Sequence, residues 1–99
     1  MKVEKKVVKF LIDKGYAEKN AWFRDLAMAI SLVKKDTAKM NNLYSNIAEQ
    51  TGQSLNTVTF HFHRAFNYSK SVMKVNYESP KDMISDLVQE YWYGKQEDR

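Results

Sequence analysis

The sequence predicts an all-α fold: a single compact helical domain of about five or six helices that contains a helix-turn-helix. Three observations lead there. Apolar residues recur at three- and four-residue spacing in five separate segments, and no segment alternates convincingly as a strand would. Gly15, Gly52 and Gly94 each close one of these runs, where a helix commonly ends on a left-handed residue. Hydrophobic residues make up 43% of 99, enough for one core but not for two domains.

Each element has its own signals. Val3, Val7, Phe10 and Leu11 form an apolar stripe that ends at Lys14-Gly15. Trp22, Leu26, Ala29, Ile30 and Val33 give a second helix from about Asn20 to Lys35, the expected centre of the core. Its last turn carries Lys34 and Lys35, which suit the negative end of the helix dipole. Residues 36–42 read as a polar connection. Ile47, Ala48 and Thr51 mark a third helix that stops at Gly52, and the small Ala48 lets a neighbouring helix approach closely. Ser54 is placed to cap a fourth, whose stripe is Leu55, Val58, Phe62, Ala65 and Phe66 and which runs toward Met73. Ser79, Pro80 and Asp82 open the last helix, with Met83, Ile84, Leu87, Val88 and Tyr91 on its buried face. The helical domain therefore spans 1–94, and 95–99 reads as a flexible charged tail.

Two short helices joined at a glycine, over 43–68, are the pattern of a helix-turn-helix, which makes double-stranded DNA the first partner to consider. The charge distribution agrees. The net charge is +4, yet the last quarter of the chain is acidic and the first forty residues are strongly basic. From Gln50 to Tyr77 there is no carboxylate, and that stretch includes the whole fourth helix. A helix that meets phosphate avoids carboxylates because each would repel the backbone.

At about 100° per residue, with Val58 at the centre of the buried stripe, the outward face of the fourth helix is Asn56, Thr57, Phe60, His63, Arg64 and Asn67. Ser54 and the short polar groups after it can meet phosphate or base edges beside free backbone N–H groups. Asn56 suits adenine, Arg64 suits guanine or phosphate, and Phe60 suits a thymine methyl. Lys34, Lys35, Lys39 and Lys70 are candidate phosphate contacts from the flanking helix ends.

These segments resemble the C-terminal DNA-binding effector domain of the sporulation initiation response regulator (stage-zero A) family of spore-forming bacteria. The resemblance runs from about Phe10 to Tyr91. It rests on LAMAISLV (26–33), LYSNIAEQTGQS (43–54), the Val58, Ala65, Phe66 pattern, and DMISDLVQEY (82–91). It implies a helical domain that puts the helix after Ser54 into the major groove and binds DNA as a tandem homodimer. It implies an effector domain standing alone, since the chain starts at Met1 without the family's receiver domain. The family has arginine, glutamate and arginine where this chain has Thr57, Thr59 and Phe60, so the resemblance does not by itself assign the family's DNA box to this chain.

Other chemistries have less support. His61-Phe62-His63 places two histidines about 200° apart on a helix, so they cannot grip one ion, and the chain has no cysteine. Both histidines are expected to be polar and phosphate-facing. No metal, cofactor or catalytic constellation is expected, and no run is apolar enough to span a membrane. The expected function is a cytoplasmic, sequence-specific transcriptional regulator. The alternative is a protein-binding modulator, an antagonist or co-regulator of a regulator protein, anchored by Phe60, Trp92 and Tyr93.

Overall fold

A computed structural model describes residues 3–33 and 42–94. It contains α1 (Lys5–Lys14), α2 (Phe23–Val33), α3 (Leu43–Thr51), α4 (Leu55–Ser71) and α5 (Pro80–Tyr93), with no strand among the described residues. Lys34, Lys35 and Lys39, expected as phosphate contacts, lie outside the described residues, as does the tail from residue 95.

The architecture follows from α2, which packs against each of the other four helices. Nine of its eleven residues are buried, and only Arg24 is exposed. A helix this apolar on all sides is stable only when enclosed. Trp22, Leu26, Ile30, Ile47, Val58, Phe62, Leu87 and Val88 share one core, as the periodicity predicts. Burying a large apolar side chain contributes about 1.5–3 kcal/mol, so this cluster outweighs any surface charge pair.

The helix ends follow local chemistry. At Gly15 (φ 113°) the backbone N–H of Tyr16 donates to the Leu11 carbonyl, turning the chain out of α1 in a left-handed cap. Ser79 Oγ accepts from the Asp82 N–H, with Pro80 at the first helical position, as expected. Two boundaries differ. Helix α2 begins at Phe23 rather than near Asn20, because turns over residues 18–22 let Asn20 bond back to the Ala17 carbonyl. Helix α4 ends at Ser71 rather than Met73, since Lys74 takes a left-handed φ of 62° soon after.

Contacts at three places tie the flanking helices to this frame. Trp92 Nε1 donates to the Ile30 carbonyl (2.8 Å), fastening α5 to α2. Lys14 pairs with Glu90 at 2.7 Å, and Phe10 meets Tyr91 edge-on, joining α1 to α5. Tyr16 packs on Trp22 and Tyr68, while its hydroxyl lies 2.6 Å from Ser69 Oγ. Ser69 already donates to the Ala65 carbonyl, so Tyr16 is the donor in that bond.

Two outcomes test this frame. Val58 is fully buried, so Val58→Asp places an unpaired carboxylate in the core and should abolish the cooperative thermal transition. Tyr77 donates to Asp86 (2.8 Å), and burial first, then that bond, pushes its hydroxyl well above the ordinary tyrosine value of 10.0. Burial also raises Tyr16. Groups whose folded pKa is raised stabilise below the unfolded value and lose that contribution as pH climbs toward the folded one. The melting temperature should therefore fall as pH rises above about 10, the ordinary tyrosine value. Tyr77→Phe should make that fall shallower.

Candidate nucleic-acid interface

The motif is assembled as its residues dictate. Helix α3 ends at Gly52 (φ 72°), and the N–H groups of Gly52 and Gln53 both return to the Ala48 carbonyl. An added Cβ at Gly52 would meet nothing within 4 Å, so glycine is required there by backbone conformation rather than by space. Ser54 Oγ accepts from the Thr57 N–H (3.1 Å), which sets the first turn of α4. Tyr44 of α3 stacks flat on Phe62 of α4, with ring centroids 4.7 Å apart, and locks the two helices together.

On α4, Val58, Phe62, Ala65 and Ser69 point inward and are buried. Asn56, Thr57, Phe60, His63, Arg64, Asn67 and Lys70 are all exposed on the other side, together with the capping Ser54. Every described residue of the expected interface thus lies at the surface of one helix or its cap. The side chains of Asn56, His63, Arg64 and Asn67 make no hydrogen bond to a described residue. Ser54 donates its hydroxyl proton to Thr57 Oγ1 (2.9 Å), so Ser54 is committed to the turn, while the Thr57 hydroxyl keeps its own proton for an outside acceptor. The Arg64 guanidinium lies 5.5 Å from the centre of the Phe60 ring, and Lys70 Nζ lies 5.2 Å from that of Phe66.

Two expectations on this helix are corrected. Leu55 is half exposed instead of part of the buried stripe, because at the first helical position it overhangs the packed surface. His61 is not on the outward face; it points inward, and only His63 is on the outward side. The Nδ1 of His61 is 2.7 Å from Oδ2 of Asp25, a carboxylate in the first turn of α2 that is only 2% exposed. Since a carboxylate only accepts, Nδ1 carries the proton in this bond. The Gln53 amide donates to both Asp25 oxygens (3.1 and 3.2 Å) and to Thr51 Oγ1 (2.8 Å). Thr51 in turn donates to the Ile47 carbonyl.

A polar junction therefore joins α2, the turn and α4 beneath the outward face. It opens onto a cleft of about 350 Å³ lined by Ala21, Arg24, Asp25, Thr51, Gln53 and His61. Sequence reasoning missed Asp25 as a partner, although its spacing from Trp22 and Ala29 puts it on the buried stripe of α2. A carboxylate on a buried phase needs a partner, and that was the available signal.

The alternative partner surface changes as well. Trp92 is anchored on α2, which leaves Tyr93 as the exposed aromatic at that end of α5. Among the described residues, no group of three or more His, Cys, Asp or Glu could hold a metal ion. No described helix is long and apolar enough to cross a membrane. Comparison with known protein families, curated proteins and solved structures finds no match for this chain.

Removing one hydrogen-bond donor from a buried carboxylate costs about 1–3 kcal/mol, because the bonds from Gln53 replace only part of what His61 supplies. His61→Ala should therefore lower the melting temperature markedly, whereas His63→Ala, at the exposed position two residues on, should leave it nearly unchanged. Equal melting temperatures for the two variants in differential scanning calorimetry would contradict this assignment.

Proposed function

We propose that this chain is a small sequence-specific regulator of transcription that binds double-stranded DNA with α4 in the major groove. The observation that carries this reading is the division of α4 into two faces. Its inner face is committed to the core and to Asp25. Its outer face offers Asn56, Thr57, His63, Arg64 and Asn67, all exposed and without a carboxylate among them. Short amides, hydroxyls and an arginine are the groups that reach base edges and phosphates. Asn56 to Lys70 spans roughly 21 Å at 1.5 Å per residue, enough to follow the groove past both backbones.

The likeness of the turn and core segments to the sporulation regulator effector domain supports the same reading. It suggests a cytoplasmic protein that sits on DNA as a tandem homodimer. A protein-binding modulator on the same scaffold is favoured by one feature, the exposure of Leu55 and Phe60 on the first turns of α4.

Selection of bound duplexes from a random pool, followed by salt titration, separates the two readings. One enriched motif with salt-sensitive affinity is expected. Arg64→Ala should weaken binding by roughly 1–3 kcal/mol at particular sequences if it meets a base, with an unchanged melting temperature. Lys70→Ala should weaken all duplexes alike and lower the salt slope by about one unit. Absence of any enrichment, with Arg64→Ala and Phe60→Ala both abolishing capture of a protein partner, would favour the modulator.

A further inference from the structure

The geometry points to Phe60 and Arg64 acting as one unit that reads a 5′-TpG-3′ step through the thymine methyl group. This deepens, and rests on, the placement of α4 in the major groove. The two residues are four apart, so they stand on one line of the helix, about 6 Å apart along its axis. The Arg64 guanidinium lies over the Phe60 ring, 5.5 Å from its centre, and Phe60 remains 57% exposed. A cation held by a ring face loses less freedom when it docks, so the fork of Arg64 is oriented before it meets DNA.

The chemistry of each half selects its target. A guanidinium forks onto O6 and N7 of guanine in the major groove. A phenyl ring has no hydrogen bond to offer there, and the apolar feature of that groove is the C5 methyl of thymine. Successive base pairs are about 3.4 Å apart, so a ring centred 5.5 Å from the guanidinium is within reach of the pair next to the one that Arg64 forks onto. In a right-handed duplex the methyl of a thymine 5′ to a guanine projects over a guanidinium forked onto that guanine. The methyl then meets the cation and the ring flank together. The same surface accepts 5-methylcytosine before guanine, which presents the same methyl at the same place.

The test uses the full chain, Phe60→Ala and Phe60→Leu, and duplexes built on the selected motif. At the position before the guanine these carry thymine, deoxyuridine, cytosine or 5-methylcytosine. Affinity is read by fluorescence anisotropy, and melting curves establish that each variant is folded. Deoxyuridine should bind about fourfold more weakly than thymine, the effect of one buried methyl group, and 5-methylcytosine should exceed cytosine by a similar factor. Both differences should shrink markedly in Phe60→Ala and less in Phe60→Leu, while the guanine preference survives in each. Equal affinity for thymine and deoxyuridine, or a methyl effect unchanged in Phe60→Ala, overturns the inference while sequence-specific DNA binding stands. A chain that enriches no duplex overturns both.

Discussion

The enclosure of α2 is the constraint on which the rest of this protein depends. Its apolar residues leave it no solvent-facing stripe, so the other four helices must surround it. A helix so enclosed has little room for charge. It carries one carboxylate inward, Asp25, and a buried carboxylate must be matched by donors. His61 and Gln53 supply them, one from α4 and one from the turn before it. The position of the helix-turn-helix on the core is therefore set by a directional polar contact as well as by the apolar packing of Val58 and Phe62.

This arrangement gives one helix two distinct faces. Residues that hold α4 in place are Val58, His61, Phe62, Ala65 and Ser69, and those left exposed on its outer side are Asn56, Thr57, Phe60, His63, Arg64 and Asn67. Because a helix repeats every 3.6 residues, the two sets interleave in sequence and diverge in space. Such a scaffold lets the outer set vary without disturbing the core. The same logic accounts for the charge pattern. Asp25 lies beneath α4, yet it is directed at His61 and Gln53, so the outward face keeps its lack of negative charge.

The far end of α4 is held by a different kind of contact. Tyr68 donates to the Gly15 carbonyl and packs against Tyr16 and Trp22, while Ser69 takes the Tyr16 hydroxyl. The C-terminal turns of α4 are thus tied to the α1–α2 connection, and the N-terminal half to α2 through Asp25. A helix fastened at both ends presents its outer side chains at fixed spacing.

The sequence by itself determined an all-helical fold of about five helices, the caps at Gly15, Gly52, Ser54 and Ser79, and the phase of most of the buried stripes. These are local properties: apolar periodicity, Gly15 and Gly52 at positive φ, and Ser54 and Ser79 as caps act within a few residues. The outward set on α4 was legible for the same reason, since a wheel centred on Val58 needs only the helical repeat. Only the tertiary structure decided the fates of His61, Leu55 and Trp92. Their periodicity marks no more than a half-buried flank, and whether such a position meets solvent, an apolar neighbour or a buried polar group depends on what packs across it. For His61 that neighbour is Asp25, 36 residues away in the chain. For Trp92 it is the Ile30 carbonyl, 62 residues away. Pairings at such separations are set by how the helices stack around α2, which no local pattern encodes.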